Sequence, residues 1–138
     1  MSVTPDQVIA EARTWVGTPF GHQGRIKGRR VDCAGVIIGV ARALGLSQFD
    51  SRDYGRSPNP ERMGAILRSE LIEIPVIDAE PGCVFWMAFD ADPQHVAIYT
   101  GTNLIHAYSM AEKCVEHRMD SQLRTKIRAA FQFKKVDY

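Results

Sequence analysis

The spacing of apolar residues changes once along the chain, which divides it into a helical first half and a strand-rich second half. Apolar positions recur with a helical period up to about residue 71 and alternate from Ile72 onwards. N-cap residues, prolines and glycines mark where each helix begins and ends. Three helices are predicted, from Thr4-Pro5 to Gly17, from Asp32 to Gly45, and from Asn59-Pro60 to about Leu71.

The alternating half predicts a sheet of mostly antiparallel strands. Strands are expected near residues 72–77, 83–89, 94–100, 103–109, 113–118 and 126–134, with a short helical turn over 120–126. The polar stretch from Ser47 to Pro60 predicts a long loop. Together these elements predict a single α+β domain that covers residues 1–138.

Two histidines lie on a predicted hairpin in this second half. Gly101-Thr102 suits a two-residue type II′ turn, which pairs Thr100 with Asn103 and Ala97 with His106. In that register His95 and His106 share one face as diagonal neighbours. A slip of one residue would put them on opposite faces. A single strand histidine is most often a packing residue, but two on one face favour a shared chemical role.

Cys33 is predicted to occupy the first turn of the second helix, directly after the N-cap Asp32. Unpaired N–H groups and the helix dipole at that position stabilise a thiolate, so the sulfur is a candidate nucleophile. The alternative is a small buried apolar residue. A cysteine at a helix N-terminus with two distant histidines on one hairpin is the pattern of a thiol hydrolase, in which an imidazole accepts the thiol proton.

Several segments in order resemble the NlpC-type cell-wall cysteine peptidases. The resemblance rests on Trp15–Phe20, Asp32–Gly35, Glu80–Trp86, His95–Gly101 and Leu104–Ala107. It implies a papain-like α+β fold, with the nucleophile Cys33 at a helix N-terminus that packs on the sheet. It also implies that His95 is the general base and that His106 orients it, which completes the catalytic set. No metal or other cofactor is implied.

The resemblance further implies hydrolysis of a peptide bond in the peptidoglycan stem, commonly between γ-D-glutamate and diaminopimelate. Asp32 matches the aspartate that helps to hold the free amine of the stem peptide. Phe20, His22 and Ala34 are the other expected substrate contacts around the nucleophile. The segment His22–Gly28 is especially similar to the bacteriophage branch, whose members are tail-associated cell-wall peptidases.

The chain departs from the family pattern at three positions. Phe20 replaces a tyrosine whose hydroxyl supports the oxyanion, and one missing oxyanion donor costs ~10²–10³ in rate. Ala34 replaces the serine after the nucleophile, and Cys83 replaces an aspartate at the start of a strand. These changes bring turnover and substrate choice into question and leave the cysteine and both histidines in place.

Composition is that of an ordinary globular protein. The chain has 138 residues, 45% of them hydrophobic, and a net charge of +1, which argues against disorder and against a strongly basic nucleic-acid binder. Its three cysteines include no Cys-x-x-Cys pair, so neither a disulfide framework nor a common zinc site is indicated. A Cys/His metal module would need ligands that lack the usual spacing.

Residues 1–20 lack a basic start followed by an apolar core, and no run of about 18 apolar residues suggests membrane insertion. We therefore expect a protein that is cytoplasmic at synthesis and reaches the cell wall in a virion tail, with tail-tip proteins as candidate partners. The second hypothesis is a catalytically weak or inactive tail-tip component that keeps the fold.

A basic segment precedes the nucleophile, with Arg25, Lys27, Arg29 and Arg30 in a glycine-interrupted stretch. It is predicted to be a solvated loop. The alternative is that these charges attract the carboxylates of an anionic stem peptide. Nucleic-acid binding is not indicated, because no aromatic residues interleave with the charges.

Overall fold

The computed structural model describes residues 2–56, 59–89 and 93–138, and these ranges form helices packed on an antiparallel sheet. The helices are α1 (Pro5–Arg13), α2 (Cys33–Ala43), α3 (Pro60–Glu70) and α4 (Ser121–Arg124). This architecture confirms the predicted α+β class. Residues 57 and 58 of the predicted loop 47–60 lie outside the described ranges.

Polar side chains cap the beginnings of these helices, as the sequence predicts. Thr4 and Gln7 form a capping box at α1, where Pro5 takes the first helical position. At α2 the Asp32 carboxylate accepts a hydrogen bond from the Gly35 N–H at 2.8 Å. Because the cap fixes where α2 begins, it also fixes Cys33 as the first residue of the helix.

Six strands form the main sheet in the order β3-β8-β4-β5-β6-β7, and every neighbouring pair is antiparallel. They are β3 (Leu71–Ile74), β4 (Val84–Met87), β5 (His95–Tyr99), β6 (Asn103–Tyr108), β7 (Lys113–Arg118) and β8 (Ile127–Phe133). All six predicted strands are present. The first is shorter than predicted because Pro75 starts a 3-10 turn over Val76–Asp78.

The glycine-interrupted basic segment is a small hairpin and not a loop. Its strands β1 (Arg25–Ile26) and β2 (Arg30–Val31) pair antiparallel through a turn in which Gly28 has φ +80°. The predicted loop was wrong because each strand has only two residues, too few to show an alternating pattern.

Two hydrophobic cores lie on opposite faces of the sheet. The larger core joins α1, α2 and α3 to the face that carries Val84, Trp86, Val96 and Ile98, and the smaller one contains Phe85, Met87, Ala97 and Tyr99. Gly39 allows α2 to pack closely on the turn that follows α1, since a Cβ there would lie 2.2 Å from the Trp15 ring. In the described part of the chain, no helix has the length and apolar character to span a membrane.

Candidate active site

Cys33 lies at the first position of α2, as predicted, where α2 meets the β1–β2 hairpin. The contact is close, because a Cβ on Gly35 would lie 2.3 Å from the backbone oxygen of Gly24. The Cys33 side chain is half-buried, and its sulfur accepts backbone hydrogen bonds from Val96 and Ala34. The candidate nucleophile therefore lies against the start of β5, where it contacts the residue that follows His95.

The resting state of Cys33 is a thiol and not the thiolate that the helix N-terminus led us to expect. Burial raises the pKa of Cys33 to about 11, and the negative charge of Asp32 adds to the rise, while the two backbone hydrogen bonds and the positive charge of Arg25 oppose it. Activation therefore requires a base that takes the proton as the sulfur attacks.

The β5–β6 hairpin has the predicted register. Ile98 pairs with Ile105, the Thr100 N–H donates to the Asn103 carbonyl at 2.9 Å, and Gly101 has φ +101°. His95 and His106 consequently share a face, and His95 Nε2 lies 2.5 Å from His106 Nδ1. This contact leaves the other ring nitrogen of His95, Nδ1, as the atom available to a thiol.

The hairpin register also led us to expect that His95 would face Cys33 across the cleft between helix and sheet, and in the structure it does not. Side chains alternate along a strand, so His95 shares a face with Ala97 and Tyr99, whereas Val96 faces the helices. Among the described residues, no side-chain hydrogen bond joins Cys33 to His95. The Cys33 sulfur contacts the backbone of Val96, the residue that follows His95 in β5, and catalytic hydrogen bonds are often long or poorly aligned before substrate binds.

Both hairpin histidines are neutral at neutral pH. Burial lowers the pKa of His95 well below 6.5, and the neighbouring His106 and His117 lower it further. Burial and His117 lower the pKa of His106 to about 4. A neutral His95 has a free lone pair, which a general base requires.

A third histidine, missed in the sequence analysis, continues the contact chain. His117 lies on β7, and its Nε2 is 2.7 Å from His106 Nε2. The signal for it is the antiparallel pairing of β6 and β7, which places His106 opposite Val115 and Leu104 opposite His117. His106 and His117 are therefore diagonal neighbours on one face.

A cavity of about 560 Å³ opens beside Cys33 and brings the expected substrate contacts together. Phe20, His22, Asp32 and Ala34 all line it. It is lined by Gln94, just before β5, and by Val96 in β5, the two residues that flank His95 in the sequence. It extends between α2 and α3 over an apolar floor. A volume of this size accommodates a short peptide segment.

Asp32 has four hydrogen-bond partners already. Its Oδ1 accepts from Gly35 and from Arg25 Nη1, and its Oδ2 accepts from the Gln23 N–H and the Tyr54 hydroxyl. Any further donor can therefore reach this carboxylate only by displacing one of them. Tyr54 is the partner that lines the cavity.

Both interpretations of the basic segment are wrong for Arg25. Its guanidinium is not exposed to solvent as a loop charge would be, and it is not free to bind substrate carboxylates. Its side chain is buried and forms ion pairs with Asp32 at 2.9 Å and Asp50 at 3.0 Å. It also donates to the Ser51 carbonyl and the Tyr54 hydroxyl. Arg25 thus fixes the loop that borders the cavity to the beginning of α2.

Phe20 and His22, the other expected substrate contacts with large side chains, are positioned by different interactions. Phe20 is half-buried against the helix-side core, and its backbone N–H donates to Glu112. The His22 ring packs edge-on against Tyr54, with centroids 5.5 Å apart. Among the described residues, no group of three or more His, Cys, Asp or Glu side chains is arranged to hold a metal ion.

Solved structures that share this architecture include NlpC/p60 domains. The NlpC/p60 domain of the peptidoglycan hydrolase SagA aligns with a TM-score of 0.63 and 20% identity, over 95% of this chain and 100% of that chain. The chain has the NlpC/p60 fold. A scan against protein-family models and a search of curated proteins found no match.

Two longer proteins contain the same NlpC/p60 architecture as part of their chains. An NlpC/P60 family protein from Bacillus cereus aligns with a TM-score of 0.70 and 19% identity, over 96% of this chain and 41% of that one. The peptidoglycan hydrolase RipB from Mycobacterium tuberculosis aligns with a TM-score of 0.65 and 17% identity, over 97% and 65% respectively. The predicted papain-like fold is thereby confirmed.

Proposed function

We propose that this chain is a cysteine peptidase that hydrolyses peptidoglycan stem peptides, at the bond between γ-D-glutamate and diaminopimelate. The observation that carries the proposal is the position of the Cys33 sulfur. It lies at a helix N-terminus, beside a cavity, and contacts the backbone of Val96, which follows His95 in β5. Structural likeness to SagA and RipB, both named peptidoglycan hydrolases, supports the substrate class.

The residues supply each step of a thiol hydrolysis. His95 Nδ1 takes the thiol proton as the Cys33 sulfur attacks the scissile carbonyl carbon, and His106 keeps the His95 ring in place. His95 then gives this proton to the leaving amine. The acyl group stays on the Cys33 sulfur as a thioester. Water then attacks the thioester and gives one proton to His95, which passes it to the departing Cys33 sulfur. The product acid loses its remaining proton to solvent, and the free thiol and neutral His95 are restored.

Asp32 enters the proposal as the group that receives the free amine of the stem peptide. Since its oxygens are occupied, we assign the exchange to Oδ2, where the substrate amine replaces the Tyr54 hydroxyl. His22, which packs against Tyr54, borders the same position.

A second candidate function is a tail-tip component with little or no catalytic activity. Phe20 lines the cavity without a hydroxyl for the oxyanion, and the raised pKa of Cys33 disfavours a resting thiolate. If the missing hydroxyl limits catalysis, Phe20→Tyr should increase kcat, by up to the ~10²–10³ that one oxyanion donor contributes.

Digestion of purified muropeptides, followed by mass spectrometry of the products, tests the proposal. The wild-type chain should separate γ-D-glutamate from diaminopimelate, and Cys33→Ala should abolish cleavage without loss of the fold. Cys83→Ala is the matched control, since it removes a thiol elsewhere in the chain. Cleavage by Cys33→Ala at the wild-type rate would refute the peptidase assignment, and no cleavage by any variant, Phe20→Tyr included, would favour the tail-tip component.

We further propose that the protein acts from a phage or prophage tail. The support is the similarity of His22–Gly28 to the tail-associated branch of these peptidases. Proteomic analysis of purified phage particles, fractionated into heads and tails, tests this location. The chain should co-purify with tails, and its absence from particles that contain all structural tail proteins would contradict the proposal.

A further inference from the structure

Three histidine rings form a continuous contact chain from the start of β5 to the edge strand β7. His95 Nε2 lies 2.5 Å from His106 Nδ1, and His106 Nε2 lies 2.7 Å from His117 Nε2. The last contact of this row of rings joins His117 Nδ1 to the Arg118 backbone carbonyl, at 3.2 Å. His95 and His106 are 8% and 1% exposed, and His117 is half-buried.

The backbone carbonyl at the end of the chain determines where every proton lies. A carbonyl oxygen only accepts, so His117 Nδ1 carries a hydrogen and the Nε2 of a neutral His117 is an acceptor. His106 Nε2 must then donate to His117, which leaves His106 Nδ1 as an acceptor. By the same argument His95 Nε2 donates to His106, and His95 Nδ1 is left without a proton.

We propose that His117 is a positioning residue that sets the tautomers of His106 and His95, and so keeps His95 Nδ1 free to accept the Cys33 proton. This inference rests on the proposed function for its catalytic consequence. The tautomers themselves are a property of the folded chain and can be measured without substrate.

Replacing His117 by a residue that only donates should reverse the direction of both hydrogen bonds between the histidine rings. A lysine there offers three donor hydrogens and no acceptor, so His106 Nε2 becomes the acceptor and its hydrogen moves to Nδ1. His95 Nε2 must then accept, and its hydrogen lies on Nδ1, where it blocks the base. A glutamine at the same position offers a carbonyl oxygen to His106 Nε2–H and preserves the original direction.

Nitrogen-15 NMR of the imidazole rings at neutral pH tests the proposal directly. Wild type and His117→Gln should show His95 protonated at Nε2, whereas His117→Lys should shift the proton to Nδ1. With a peptidoglycan stem peptide as substrate, kcat should fall on the order of 10²-fold in His117→Lys, with KM nearly unchanged, and His117→Gln should retain most activity. Melting temperatures confirm that each variant is folded.

The two readouts separate this inference from the proposed function. If wild type is inactive but its tautomers switch in His117→Lys as described, the peptidase assignment fails and the tautomer assignment holds. If wild type is active and His117→Lys changes neither the His95 tautomer nor kcat, the inference about His117 is overturned. A wild-type His95 protonated at Nδ1 would overturn it as well.

Discussion

Arg25 Nη1 lies 2.9 Å from Asp32 Oδ1, and both side chains are almost closed to solvent, at 7% and 6% exposed. This ion pair lies directly before the candidate nucleophile Cys33, since Asp32 is the N-cap of the helix that Cys33 begins. Removing one partner of a buried pair leaves an uncompensated charge, which costs more than the pair contributes when intact.

Arg25→Ala should therefore lower the free energy of unfolding by roughly 3–5 kcal/mol. Arg25→Lys should recover only part of it, because an ammonium group cannot bond to Asp32, Asp50 and Tyr54 in the fork geometry of the guanidinium. Urea unfolding measures the change, and Arg29→Ala, at an exposed position of the same hairpin, is the matched control. Equal effects of Arg25→Ala and Arg29→Ala would contradict the structural role.

Alkylation by iodoacetamide should be fastest at Cys33 because its side chain is half-buried, whereas Cys83 and Cys114 are fully buried. A thiol reacts as the thiolate, and a pKa of about 11 means that the thiolate fraction of Cys33 grows tenfold per pH unit in the neutral range. The rate at Cys33 should consequently keep rising from pH 7 to pH 10. A rate that levels off below pH 8 would indicate a thiolate–imidazolium pair in the resting protein.

Acid should destabilise the fold through the hairpin histidines. Their pKa values lie below the ordinary 6.5 in the folded chain, so between pH 6.5 and about 4 the unfolded chain binds protons that the folded chain cannot. Stability is full above pH 6.5 and decreases as the pH falls, and for His106 alone the shift corresponds to roughly 3 kcal/mol.

Thermal unfolding at a series of pH values measures this effect. The melting temperature of wild type should drop between pH 6.5 and pH 4, and His106→Asn, which cannot titrate there, should show a shallower dependence. Identical slopes for the two proteins would mean that His106 is not held neutral by the fold.

Substitutions at His106 distinguish an orienting role from packing. His106→Ala should remain folded yet lose most turnover, because nothing then accepts the His95 Nε2 hydrogen. His106→Asn and His106→Gln should retain more activity, since each supplies a carbonyl acceptor. Melting temperatures and stem-peptide hydrolysis need to be measured on the same variants. Activity that falls only in proportion to folded protein would identify His106 as packing.

The hairpin register was predictable from sequence because its determinants are local. Alternation over residues 94–100 and 103–108, with a glycine suited to a positive φ between them, leaves one register in which the apolar face stays buried. The same locality explains why the caps of α1 and α2 were predicted correctly, and with them the position of Cys33.

Contacts between distant segments could not be predicted in this way. Arg25 meets Asp50 and Tyr54 only because the loop after α2 folds back on the hairpin, and no periodic pattern encodes that return. His117 escaped notice because the β6–β7 turn passes through Glu112 in the left-handed region, at φ +63°, without a glycine to mark it. Because no glycine marks this turn, the sequence did not predict the register in which His117 lies opposite Leu104.

Trapping the acyl-enzyme tests the central claim most directly. Wild type mixed with a γ-D-glutamyl-diaminopimelate stem peptide, quenched in acid within its first turnovers and digested with trypsin, should give a peptide spanning residues 31–42 that carries the acyl half of the substrate as a thioester. Cys33 is the one cysteine of that peptide. Turnover of the substrate with no acyl group on this peptide, or with the same rate in Cys33→Ala, would contradict the account.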